Sequence, residues 1–230
     1  MEPGGDGELD GAYSPHMRIT AAALLFDSDG VLLDSHRHVA AAWQQLADEF
    51  GLDFDILIKE LVGVPAATTL GRHLPRAIAG RAVGRLEDLE VELATTVQPL
   101  PGAVRLLSRL PAGKWTIVTS ASRRLAEARW RSAGIPFPSH VVTADDVAAG
   151  KPSPEPFQEA AALLGVQPGN CVVFEDSAAG GVAAEAAGAI AIAVGNQSWE
   201  TDPAARIGTL AEVGVRQSGS EITLILREYS

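Results

Sequence analysis

The sequence predicts an α/β protein built on a parallel sheet, with a small helical insertion after the first strand. Three observations carry this. Five short runs are almost continuously apolar: residues 21–26 (AAALLF), 115–118 (WTIV), 140–143 (HVVT), 171–174 (CVVF) and 189–194 (AIAIAV). Strands covered on both faces read this way. Helix-like stretches alternate with the later runs, at 103–110, 123–133, 154–164 and 180–187, the pattern of βαβ units. From about 35 to 97 no β-like run occurs.

Taken in chain order, residues 1–17 are acidic and glycine-rich, with no apolar stretch. They read as a flexible extension and not as a secretory signal; Met17 is a possible alternative start. The run at 21–26 is the first strand. Four helices follow at 39–50, 54–62, 67–74 and 86–96, with Pro65 and Gly80 as interruptions. The PLPG stretch at 99–102 reads as the turn back into the sheet. The tail at 221–227 (EITLILR) alternates enough to be an added edge strand, one that could pair with a second subunit. The division expected is an extension at 1–17, a core from 18–34 and 99–230, and a helical domain at 35–98.

The bulk properties narrow the function classes. With 230 residues, 47% hydrophobic and 20% charged, the chain can bury a catalytic core plus a small accessory domain. Its net charge of −11 repels nucleic acid and anionic lipid, so neither is expected as a partner. No segment is long and apolar enough to cross a membrane. The single cysteine, Cys171, sits in an apolar run and forms no intrachain disulfide; a cytoplasmic protein is expected.

The candidate chemistry lies at strand ends, where parallel sheets bind ligands. Asp27 and Asp29 follow the first strand in DSDGV. An Asx turn would use the same residues. Glu175 and Asp176 follow the CVVF run in the same way, ahead of Ser177; capping of the next helix is the simpler use of such a pair. Two acidic strand ends in one sheet are harder to explain as turns. Converging carboxylates repel in a partly buried site, and a hard divalent cation such as magnesium relieves that repulsion. Lys151, held between Gly150 and Pro152, supplies positive charge. Thr119 and Ser120 end the WTIV run, where hydroxyls either cap the next helix or donate to a phosphoryl oxygen.

Together, DSDGV, a Thr/Ser at a strand end, GKP and FEDSAAG, in this order, resemble the four motifs of the haloacid dehalogenase-like superfamily. The match spans roughly residues 24–194. The helical insertion resembles the cap of the subgroup containing β-phosphoglucomutase and small sugar-phosphate phosphatases, on a Rossmann-like core. The resemblance implies that Asp27 is a nucleophile forming an aspartyl-phosphate. Asp29 would be general acid and then general base. Magnesium would be held by Asp27, the backbone carbonyl of Asp29, and Asp176, with Glu175 helping directly or through water. Thr119 and Lys151 would hold the phosphoryl oxygens, with Ser120 beside them in a register that TSAS leaves open by one residue.

The second aspartate favours phosphorus chemistry over carbon–halogen cleavage. The mutases of the subgroup are the sharper rival. They carry a histidine where Val39 stands, with His38 one residue off register. They also carry an arginine after Gly-Val-Ser, where this chain reads Gly63-Val64-Pro65-Ala66. A cap lysine of theirs has no counterpart here. The phosphonate-cleaving relatives need a cap lysine too, and Lys59 is misplaced for that role. Water is therefore the expected acceptor, and a small phosphorylated metabolite, a sugar or polyol phosphate, the expected partner. A binding module without turnover is the remaining alternative. Thr69 (or Thr68), Arg72 and His73 are candidate cap contacts, although cap packing would use the same residues. Trp43 reads as cap core, and His36 and His38 flank the hinge. A monomer or weak homodimer is expected.

Overall fold

The structure, a computed structural model, describes residues 17–60, 66–199, 201–219 and 221–227. Residues 1–16 of the expected extension and the turn at 63–65 lie outside the described residues. Among those described, no helix is long and apolar enough to cross a membrane.

The central sheet is formed by Val141–Val142 (β6), Trp115–Val118 (β5), Ala23–Phe26 (β2), Cys171–Glu175 (β7), Ile190–Val194 (β8) and Ala205–Ile207 (β9), adjacent in that order and all parallel. Side chains alternate between its faces. Leu24, Phe26, Ile117, Val172, Phe174 and Ile192 enter one apolar cluster, with Ala126, Trp130 and Ala133 of helix Arg123–Ala133 (α6). Ala23, Leu25, Val118, Cys171 and Val173 enter another, against Phe157 and Ala160 of Glu155–Leu163 (α7) and Ala183 and Ala184 of Ala178–Ala186 (α8). Both faces are dry, which is why the runs read as continuously apolar. Phe26 stacks on Phe174 with centroids 4.9 Å apart and meets Trp115 edge-on at 6.3 Å.

The run at 21–26 is not one strand. The chain bends at Ala22, whose N–H donates to the Asn170 carbonyl at 2.8 Å. Met17–Ala21 (β1) turns away into a second, antiparallel sheet, so Met17 belongs to a strand and not to the extension. There Glu221–Leu226 (β11) lies between β1 and Val213–Ser218 (β10). The tail strand is thus central, which corrects the expected edge strand. Its Ile222, Leu224 and Leu226 are buried with Ile19 and Ala21 in the core. β9 and β10 were not anticipated: one has three residues, and the other carries Gly214, Arg216 and Gln217.

The insertion contains helices His36–Phe50 (α1), Phe54–Glu60 (α2), Ala66–His73 (α3) and Arg76–Leu93 (α4). Trp43, Leu46, Leu57, Leu70, Leu86 and Leu89 share a core of their own. α1 stops at Gly51, whose left-handed conformation lets its N–H reach the Ala47 carbonyl. Gly80 does not interrupt the chain; it lies inside α4, which starts at Arg76 and not near 86. The buried stripe of Ala82, Leu86 and Leu89 outweighs the helix cost of a glycine, about 1 kcal/mol. Both connections to the core pair with each other: Leu33–Asp34 (β3) is antiparallel to Gln98–Pro99 (β4). The two linkers form one ribbon.

Candidate active site

The ends of three adjacent strands, β5, β2 and β7, converge on one acidic pocket. Asp27 directly follows β2, the strand between the other two. Its N–H donates to the Phe174 carbonyl at 2.9 Å, extending the ladder by one residue and fixing where its side chain leaves the sheet. The side chain is 9% exposed. Carboxylate oxygens of Asp27, Glu175 and Asp176 lie within 4.8 Å of one another.

Lys151 reaches this cluster from the loop that follows β6. Its Nζ donates to Asp27 Oδ1, to Glu175 Oε1 at 2.8 Å and to the Val118 carbonyl at 3.2 Å. All three donor positions of the ammonium are used. Burial works against its charge, but Asp27 and Glu175 outweigh burial and hold its pKa above the ordinary lysine range.

Glu175 is fixed from several sides. Its Oε2 accepts from the backbone N–H of Asp176 at 2.6 Å and of Ser177 at 3.0 Å. Ser177 caps α8, its Oγ accepting from the Gly180 N–H at 3.1 Å. A Cβ on Gly180 would stand 1.6 Å from Glu175 Oε1, so only glycine lets the carboxylate lie across the start of the helix. Gly180→Ala should displace Glu175 and lower stability by about 1–3 kcal/mol. A melting temperature equal to wild type would refute this packing account. Gly30 has a similar role on the opposite side, with φ +85° and a hypothetical Cβ 2.0 Å from Asp176 Oδ2.

Two of the carboxyls bear the strain of this crowding. Burial, partly offset by Lys151 and reinforced by Glu175 and Asp176, raises Asp27 well above the usual carboxylate range. Burial, and Glu175 beside it, push Asp176 up to about 8. One ammonium does not balance three close carboxylates. An all-oxygen set of this kind fits a hard divalent cation.

Asp29 stands apart from the other three carboxylates. Its Oδ1 accepts from Arg129 Nη1 at 3.0 Å, and its side chain is not part of the cluster formed by Asp27, Glu175 and Asp176; the metal contact expected of Asp29 is through its backbone carbonyl. Thr119 is 4% exposed, and its Oγ1 accepts from the Ala121 N–H at 3.1 Å. Ser120 is exposed in the adjoining bend. Neither caps the next helix. Ser122 does that for α6, with its Oγ accepting from the Leu125 N–H at 3.3 Å.

The cap candidates lie together on α3. Thr69 is fully buried, with its hydroxyl unpartnered among the described residues. Arg72 and His73 both contact Glu60, at 3.5 and 3.1 Å. Trp43 is in the cap core. His38 Nε2 pairs with Thr96 Oγ1 at 2.9 Å, joining the two ends of the cap. His36 Nε2 lies 3.8 Å from Asp176 Oδ2.

Sequence reasoning missed Arg129, and it read Trp130 as packing only. Trp130 is fully buried, and its Nε1 donates to Ser28 Oγ at 2.9 Å, tying α6 to the acidic loop. Arg129 is 3% exposed. The signal was spacing: Leu125, Ala126, Arg129, Trp130 and Ala133 share the buried face of α6.

Residues 21–188 match the family model for haloacid dehalogenase-like hydrolase. The chain is 42% identical over 179 residues to hexitol phosphatase A of Escherichia coli, covering 74% of this chain and 81% of that one. It is 32% identical over 190 residues to glycerol-1-phosphate phosphohydrolase 2 of Saccharomyces cerevisiae, covering 77% and 76%. Among solved structures, the β-phosphoglucomutase of Clostridium difficile superposes with a TM-score of 0.71 at 25% identity, covering 83% of this chain and 92% of that one. A match across most of the chain, with such identity to a relative covered over four-fifths of its length, establishes that the chain belongs to the haloacid dehalogenase-like hydrolase family.

Proposed function

We propose that this protein hydrolyses a small phosphomonoester, a sugar phosphate or a glycerol or polyol phosphate, through an aspartyl-phosphate on Asp27 and with magnesium. The observation that carries the reading is the buried Asp27 at the end of β2, held against Lys151 and beside Asp176. The relatives named for hexitol and glycerol phosphates support the substrate class.

Asp27, Asp176 and the Asp29 backbone carbonyl would hold the ion, with Glu175 behind them. Bound magnesium supplies charge neutralisation to the phosphoryl oxygens. In the first step an oxygen of Asp27 attacks phosphorus, the bond from phosphorus to the leaving oxygen breaks, and Asp29 gives that oxygen its proton. In the second step Asp29 takes a proton from water, which attacks the aspartyl-phosphate and releases inorganic phosphate. Lys151 balances the negative charge beside the nucleophile, and Thr119, just after β5, would offer its hydroxyl to a phosphoryl oxygen. We take residues 35–98 as a cap that closes over this chemistry and supplies specificity from residues such as Arg72 and His73. We further read the protein as cytoplasmic, and as a monomer or weak homodimer.

The test is inorganic phosphate release from a panel of hexitol, hexose and glycerol phosphates, plus p-nitrophenyl phosphate, with magnesium or with EDTA. Turnover should require the metal and return on its re-addition. Wild-type rates in EDTA would end the metal assignment. Failure to release phosphate from any of them would end the phosphatase reading, and isomerisation of a hexose phosphate would favour the mutase.

The same crowding predicts a pH dependence. Asp176 titrates at about 8 in the folded chain and near 4 when unfolded. Between those values the folded chain keeps a proton that the unfolded chain has lost. This group's contribution to stability is therefore fully present below about pH 4 and is lost as pH rises through about 8. Magnesium replaces the proton, so it should raise the melting temperature more at about pH 8 than at about pH 5. Equal shifts at both would contradict the electrostatic picture.

A further inference from the structure

We infer that Arg129 is a positioning residue for Asp29, coupling that carboxylate to the cap through Glu90. The inference rests on the reading of Asp29 as the acid–base group. Arg129 belongs to α6, in the core, while Glu90 belongs to α4, in the cap. Nη1 of Arg129 donates to Asp29 Oδ1 at 3.0 Å, and Nη2 donates to Glu90 Oε1 at 3.1 Å. One rigid, planar guanidinium therefore sets the relative positions of two carboxylates from different domains.

This link differs from its neighbours. Along α4, Asp88 pairs with Arg124 at 2.7 Å, and Glu87 accepts from Ser122 Oγ. The Asp88–Arg124 pair is about half exposed on both sides, and exposed pairs hold little. The Arg129–Glu90 pair is 4% and 15% exposed. A buried guanidinium that loses one of its two carboxylates is left with unpaired N–H donors, and its Nε already has no partner among the described residues. Movement of α4 therefore cannot leave Arg129 indifferent. With the cap as it stands here, Arg129 holds Oδ1 and leaves Asp29 Oδ2 for the proton that passes to the leaving oxygen. Closure of the cap over a substrate and orientation of the acid become one event.

The consequence separates good from poor leaving groups. An alkoxide needs a proton to depart, whereas p-nitrophenolate does not. The measurement is kcat/KM for the best alkyl phosphate of the panel divided by kcat/KM for p-nitrophenyl phosphate. This parameter covers only the steps through departure of the alcohol, and the ratio within one preparation does not depend on the fraction folded. Asp29→Asn should lower the ratio by about 100-fold or more. Arg129→Ala should lower it by about tenfold or more, because a misaimed group loses effective molarity. Glu90→Gln should lower it less, in the same direction. Arg129→Lys should recover part of the Arg129→Ala loss, since an ammonium keeps the charge but cannot span both carboxylates. An unchanged ratio in Arg129→Ala, beside a lowered one in Asp29→Asn, overturns the positioning role and leaves the phosphatase reading standing. An unchanged ratio in Asp29→Asn overturns the acid–base assignment itself, and the inference with it.

Discussion

Asp27→Asn should lose turnover by about 10⁴-fold or more while remaining folded. The amide matches the carboxylate in shape, and its carbonyl oxygen can still accept from Lys151 Nζ, the partner of Asp27 Oδ1. It cannot form the acyl phosphate. The substitution also removes one of three mutually repelling buried charges, so the melting temperature in EDTA should not fall. Acid-quenched samples of the wild type should carry a phosphoryl group on the peptide containing Asp27, and the variant should carry none. Turnover within tenfold of wild type would mean that phosphorus is attacked by something else.

Lys151→Met tests the other half of the pocket. Methionine fills much of the space of the lysine stem but leaves Asp27, Glu175 and the Val118 carbonyl without their shared donor. The lysine side chain is 5% exposed, so solvent cannot take over its role. Removing one partner of a buried charge cluster costs about 3–5 kcal/mol. That loss should appear in EDTA and shrink with magnesium, which brings positive charge to the same oxygens. Activity should fall by about 10³-fold even with the metal present, since a phosphoryl-transfer site works mainly by charge placement. An unaltered melting temperature in EDTA would show that the three carboxylates do not depend on the ammonium.

The strands that carry Asp27, Thr119 and Glu175 were legible because each is dry on both faces, and a continuous apolar run ending in acid or hydroxyl is hard to read otherwise. The second sheet was less legible. Met17–Ala21 alternates Arg18 and Thr20 with Ile19 and Ala21, and its partner lies at the far end of the described chain, so no local pattern announces the pairing. Gly80 misled because helix propensity is a weak prior beside a buried stripe. Arg129 was hidden by its company: α6 carries four arginines within RRLAEARWRSA, and nothing but the helical period distinguishes the buried one from those in water.

The central place of β11 also sets an order of events during synthesis. Residues 17–21 leave the ribosome long before residues 221–226, yet β1 finds its backbone partners only there. Until then, β1, the strand just ahead of the one that ends at Asp27, exposes unpaired amides and the apolar side chains of Ile19 and Ala21. The parallel sheet can assemble earlier, but the shelter of this flank waits for translation to pass Leu226. A nascent chain stalled before Glu221 would present that open edge to chaperones or to another unfinished copy.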